Sequence, residues 1–346
     1  MKISRRILQI GMASIATVVA SGASADSQIS LYGQVDAWIG SQKQLGNASA
    51  WAVGGGGMST SYWGIRGNED LGDGWRTTFI LEDFFRPQNG RVGSFEGEPF
   101  FARNANIGIG GPYGTIDIGR IVTPFFITTV VFNPFADSYV FSPMVLHTYV
   151  GVNSQGLIGG YGWNNAVMYR SPVVRGFNTD LIYALANQTG ASNAHKWGGS
   201  ASYVNGPVAA SFAFQSQPFD SSPGDLNAIT VGFTRQTAVQ GAVSWDLKGV
   251  QLYGQYQRIV NEISAANTTE NDEQLGVAVP LAAGRVLASY VHSKTSGGSN
   301  ASRSTIAVGY DYSLSKLTDV YSAILADRAT DLSSGMTYGV GIRGHF

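Results

Sequence analysis

The sequence predicts an all-β chain: a transmembrane antiparallel β-barrel of about sixteen strands, with the third long loop folded into its lumen. Three observations carry this reading. The first and last segments alternate apolar and polar residues with period two. Short turns alternate with long polar loops along the chain. Finally, charged residues are 13% of the 346, against roughly 25% in soluble domains, while glycines number 45 and aromatics reach 12%. A membrane barrel shows half of its strand residues to lipid, which produces such a composition. Beyond the N-terminal leader, no apolar run is long enough for a membrane helix.

The leader comes first. Lys2, Arg5 and Arg6 precede the apolar run Ile7 to Ala20, and Ala23-Ser24-Ala25 supplies a small-residue cleavage site. This is a secretory signal over residues 1–25, leaving 26–346 as one barrel domain. Its removal takes away three cations and no acid, moving the net charge from −1 to −4. A mildly acidic chain gives no case for nucleic acid. The absence of cysteine excludes a disulfide framework and thiolate chemistry.

In the first strand, from Gln28, one face carries Ile29, Leu31, Val35 and Ile39, and the other Tyr32, Gln34, Asp36 and Trp38. A polar face containing Asp36 suits a wet interior. In the last strand Met336, Tyr338, Val340, Ile342 and Phe346 oppose Thr337, Arg343 and His345. Tight turns fall at 68–74, 110–114, 171–176, 205–207, 246–249, 280–284 and 313–315, each with turn-forming residues. Long connections fall near 41–58, 86–99, 121–160, 187–195, 215–236, 261–273, 294–303 and 327–335. Seven turns and eight loops make sixteen strands. Tyr169, Tyr183 and Tyr321, near strand ends, read as residues of the interfacial girdle.

The connection from Ile121 to Gly160 is long and oily, with Phe125, Phe126, Phe132, Phe135 and Phe141. Pro124, Pro134 and Pro143 exclude a central strand or an unbroken helix. So many large apolar residues need a surface to pack on. The aromatics either pin the loop to the inner wall or, for Phe125, Phe126, Phe132, Phe135 and Tyr139, face the lumen.

Other chemistry is thin. Gly54 to Gly57 lacks the strand, helix and lysine of a phosphate loop. His147, His195, His292 and His345 lie in no nucleophile motif, so an outer-membrane barrel enzyme is the weaker reading. Glu270, Asp272 and Glu273 with Asn267 bring Ca²⁺-type donors to a predicted loop, but such charge runs are usually solvated, and neither metal nor cofactor is assigned.

Ile29-Ser-Leu-Tyr-Gly-Gln-Val-Asp36, Trp63-Gly-Ile-Arg-Gly-Asn-Glu-Asp-Leu-Gly72, Tyr113-Gly-Thr-Ile-Asp-Ile-Gly-Arg120 and the terminal Phe346 resemble the general porins of Gram-negative bacteria, the sixteen-stranded trimeric beta-proteobacterial type. The resemblance spans the mature chain. It implies an outer-membrane homotrimer of water-filled channels passing small hydrophilic solutes and ions, surrounded by outer-membrane lipid. It also implies that Phe346 is read by the barrel-assembly machinery. The alternative within this fold is a solute-specific channel with a narrow aromatic-lined constriction.

Such channels select by width and by lining charge. The resemblance places Glu82 and Arg103 at acidic and basic wall positions, and Asp137 is the single charge between Val122 and Leu146. Alternation turns Glu82 inward but puts Arg103 on the face of Ile107, so an inward Arg103 needs a bulge. Tyr62 stands where relatives often carry arginine, which removes a cation from the expected ladder; Arg66 follows on inward parity. Glu82, Arg103, Asp137, Arg66 and Tyr62 are the expected constriction.

Overall fold

The computed structural model describes residues 28–152, 155–187, 195–218 and 231–346. The predicted leader and most of two predicted loops, at 187–195 and 215–236, lie outside these residues.

The wall begins with β1 (Gln28–Gln42). One edge of β1 pairs first with β3 (Tyr62–Gly72) and then with β2 (Ala50–Gly55). β2 and β3 are thus two halves of one wall strand, interrupted at 56–61. The wall continues through β4 (Trp75–Arg86), β6 (Asn104–Gly111), β7 (Gly114–Val122), β8 (Gly162–Arg170), β9 (Phe177–Leu185), β10 (His195–Asn205) and β11 (Val208–Gln217). It is completed by β12 (Phe233–Leu247), β13 (Val250–Ile263), β14 (Thr268–Leu281), β15 (Gly284–Gly297), β16 (Ala301–Ser313), β17 (Thr318–Ala329) and β18 (Gly335–His345). β5 (Arg91–Val92) only extends the end of β4. Every neighbouring pair is antiparallel, and β18 returns to the free edge of β1, from Gln34↔His345 to Ser41↔Tyr338. The result is a closed sixteen-stranded barrel with no exposed edge.

Closure extends to the last residue, because the Phe346 and Gly33 backbones exchange two hydrogen bonds of 3.1 Å. All seven predicted turns join strands, and the loops fall at the alternate joints.

The predicted alternation holds with the apolar face outward. Ile29, Leu31 and Ile39 are exposed on β1, while Gln34, Asp36 and Trp38 are buried. On β14, Leu275 is 72% exposed and its neighbour Gln274 is 2% exposed. A soluble sandwich would bury the opposite face; an apolar exterior around a polar interior suits lipid outside.

Several predicted loops are too long. Residues 50–55 of the first are strand, and the predicted loop 261–273 shrinks to 264–267, so Glu270 and Asp272 belong to β14. Polar strand ends facing a polar interior have the composition of a loop, which is why the sequence reading shortened them.

Tyr321 is also corrected. It is 4% exposed, and its hydroxyl donates to Asp36 on the inner face. Tyr169 and Tyr183 do point outward.

Candidate constriction site

The chain leaves β7 at Val122 and returns at Gly162. Between them proline starts each of two short helices. Thr123 caps α1 (Pro124–Val131) by accepting from the Phe126 N–H at 3.2 Å, and Ser142 caps α2 (Pro143–Tyr149) by accepting from the Val145 N–H at 3.4 Å. Pro124 and Pro143 sit in first turns, where no partner for their nitrogen is needed. Asn133 ties the turn between the helices: its Nδ2 donates to Thr129 O at 2.8 Å, and its Oδ1 accepts from the Phe135 N–H at 2.9 Å and the Ser142 hydroxyl at 3.0 Å.

The polar face of the wall holds this segment. Thr128 and Ser211 hydroxyls meet at 3.0 Å. Gln255 Nε2 donates to Phe132 O at 2.8 Å and to Thr129 O at 3.1 Å, and Gln274 Nε2 reaches Phe132 O at 3.2 Å. His147 lies between the Ser293 and Thr305 hydroxyls, and Arg303 Nη1 donates to Val150 O at 2.9 Å.

Small wall residues receive the rings. Phe125 packs with Leu157, Ala213, Ala238 and Ile259. Phe135 and Phe141 join Trp38, Tyr253, Ala278, Ala307 and Ala323. Gly276 and Gly309 lie under Pro134 and Phe135; a Cβ on either would come within 2.7 Å of Pro134 Cδ or 3.1 Å of a Phe135 ring carbon. Phe125, Phe132 and Phe135 are therefore wall-packed, as the first of the two predicted arrangements has it. Phe126 and Tyr139 keep exposure and stack in an aromatic row: Phe126 lies 5.3 Å from Tyr149 and 5.4 Å from Tyr161, and Tyr139 lies 6.5 Å from Tyr149.

The five predicted constriction residues come together around one carboxylate. Glu82 is buried on the inner face, accepting from the Tyr32 hydroxyl at 2.6 Å and from Arg103 and Asn104. The Arg103 guanidinium lies 3.9 Å over the Tyr62 ring, and that of Arg66 lies 4.8 Å over Tyr32. Asp137 accepts from the Ser59 hydroxyl at 2.7 Å and exerts its field on Arg103 and Tyr62. The irregularity that an inward Arg103 requires is present: the chain bends at Arg103, whose backbone N–H bonds Glu82 O at 3.2 Å while the next residue, Asn104, is the register partner of Glu82, so both side chains reach the same carboxylate. Burial opposes the Arg103 charge, but Glu82, Tyr62 and Asp137 together outweigh it, and the guanidinium is a fixed cation. Its side chain keeps 23% of its exposure, against 5% for Glu82, so the arginine is the more accessible member of the pair.

One arrangement was not foreseen. The glycine run between β2 and β3 wraps backbone N–H groups around Asp36: Gly57 donates at 3.0 Å, and Met58 and Ser59 at 2.9 Å. The run does form an anion cradle, filled by the chain's own carboxylate. It presents Ser59 to Asp137, and Ser138 donates to Gly57 O.

Comparison with known proteins agrees with this architecture. The family profile described as Gram-negative porin matches residues 12–332. Outer membrane porin protein 32 of Delftia acidovorans is 27% identical over 333 residues, covering 92% of this chain and 90% of that protein. An outer membrane porin of Bordetella pertussis is 26% identical, covering 94% of this chain and 96% of its own. Among solved structures, the anion-selective porin from Comamonas acidovorans superposes with a TM-score of 0.78 at 22% identity, covering 93% of this chain and all of that one.

Proposed function

The chain belongs to the Gram-negative porin family, and from that premise we propose that the segment 123–161 lies inside the barrel and narrows its channel against Tyr62, Arg66, Glu82 and Arg103. The family makes the protein an outer-membrane channel for passive diffusion of small solutes. The observation supporting the constriction is that the segment's hydrogen bonds go to side chains on the polar face of β11–β16, opposite the exposed apolar face. No covalent step is assigned; selection is steric and electrostatic.

The fixed charges at the constriction are two cations, Arg66 and Arg103, and two anions, Glu82 and Asp137. Glu82 compensates Arg103 directly. The Comamonas porin is anion-selective; here Tyr62 occupies a place where the resemblance expects arginine, and the proposed channel is only weakly selective. Reversal potential under a salt gradient tests this. A value near zero fits; a permeability ratio above roughly tenfold for either sign would show that an unbalanced charge dominates.

The functional unit is a homotrimer delivered by a cleaved leader and assembled through the terminal Phe346. The row of Phe126, Tyr139, Tyr149 and Tyr161 favours a second reading, preferential passage of flat aromatic or weakly polar solutes. Liposome swelling with aromatic solutes and with sugars of equal size separates the two.

A further inference from the structure

Away from the constriction, α2 and the residues after it cover a buried acidic pair on the inner wall. Glu270 and Asp272 lie on β14, are 4% and 0% exposed, and are within hydrogen-bond reach of each other. One oxygen of each is occupied, Glu270 Oε2 by the Gly156 N–H and Asp272 Oδ2 by Gln257, and the hydroxyl of Ser293, the cross-strand partner of Asp272, also lies within reach of the Asp272 carboxylate. The others, Glu270 Oε1 and Asp272 Oδ1, are buried and receive no hydrogen bond.

Two neutral side chains share this condition. Thr295 is 2% exposed and is the cross-strand partner of Glu270, so their side chains stand together on the inner face. Its Oγ1 has no partner. Gln155 is 7% exposed, adjoins the Gly156 amide bound to Glu270, and has neither side-chain oxygen nor nitrogen satisfied. Leaving such groups dry and unpaired costs about 1–3 kcal/mol each, more for charged ones.

The neighbouring cation, Arg303, makes no hydrogen bond to the pair. Arg303 spends its donors on Asp327, Leu146 O and Val150 O. With Arg303 engaged by Asp327, Glu270 and Asp272 form a buried acid pair with no cation bonded to it. A proton shared between them would satisfy the carboxylates but not Thr295 or Gln155. A hard cation takes carboxylate, hydroxyl and amide oxygens together.

We propose that Glu270, Asp272, Thr295 and Gln155 form a Ca²⁺ site that clamps the end of the segment 123–161 to β14 and β15. The site uses two carboxylates; no described group of three or more His, Asp or Glu is placed to hold a metal. The partly predicted donors Glu273 and Asn267 are exposed and take no part. The proposal is independent of what the channel conducts.

The test is calorimetric titration of CaCl₂ into lipopolysaccharide-free, EDTA-stripped, refolded full-length protein in detergent at pH 7.5. One saturable site per chain is expected. Glu270→Gln and Thr295→Val, checked as folded by circular dichroism, should each weaken it at least tenfold, and Ca²⁺ should slow proteolysis after α2 in wild type alone. Thr295→Val keeps all charges, so it reads the site even where a carboxylate variant fails to fold. Absence of saturable binding in the folded wild type, the outcome for a shared proton or water, overturns the proposal. Binding unchanged in folded Thr295→Val and Glu270→Gln also overturns it.

Discussion

Replacing Glu82 with glutamine removes one negative charge from the proposed constriction while keeping an acceptor for the Tyr32 hydroxyl, 2.6 Å away. Arg103, 23% exposed and paired to Glu82, then acts on passing ions without its counter-charge. At roughly 6 Å in a water-filled lumen, one unit charge contributes about 0.7 kcal/mol, and screening at 0.1 M salt lowers this to about 0.4. An anion gains what a cation loses, so the anion-to-cation permeability ratio should rise roughly 3- to 10-fold. Arg103→Gln should move it as far in the opposite direction. The double variant should return near wild type, because the pair is removed together. Bilayer reversal potentials under a KCl gradient read all three. If both single variants fold, conduct and leave the reversal potential unchanged, Glu82 and Arg103 do not line the narrow part of the path.

Three further outcomes follow from how the segment is held. Phe135→Ala empties a ring from a socket where it is 0% exposed, at a cost of about 3–5 kcal/mol, and should increase current noise and protease access to the segment. Gly276→Val places a branched side chain where one Cβ already comes within 2.7 Å of Pro134, and should alter unitary conductance while the barrel still resists SDS at room temperature. His147 adds a pH dependence. Burial first, then Arg303 and His292, hold its imidazole well below the ordinary histidine value of 6.5, so it is neutral between Ser293 and Thr305. A depressed imidazole contributes stability that is complete above 6.5 and is lost as pH falls from there toward its folded value. Attachment should therefore weaken at pH 5 relative to 7.5, seen as faster proteolysis of the segment, and His147→Gln should flatten that dependence.

Much of the wall was legible because period two survives in single strands. Ile29, Leu31 and Ile39 against Gln34 and Asp36 define the faces of β1 without any partner. Seven turns announced themselves through residues suited to reversal. The inner wall was harder. Ala213, Ala238, Ala278 and Ala307 look like lipid-facing small residues until Phe125 and Phe135 are seated on them. The glutamines Gln240, Gln255 and Gln274 form a ladder that bonds the segment, but their spacing across three strands has no local signature. Tyr321 was misplaced because tyrosine near a strand end is common at lipid interfaces, whereas its partner Asp36 is 285 residues distant in sequence. Arg103 could be assigned an inward face only on condition of a break in alternation, and that break, two consecutive residues set against Glu82, has no signature in the local sequence. Tyr62, Arg66 and Arg103 nevertheless stand near Glu82, since its register partners Gly64 and Asn104 share the inward face.

The central claim is an open channel narrowed by a wall-anchored segment, and single-channel recording of the refolded protein in a planar bilayer tests it most directly. Discrete conductance steps in groups of three, scaling with bulk salt and changed by Phe135→Ala, are the predicted result. Absence of steps from correctly folded protein would mean that the segment closes the barrel, and would contradict the account.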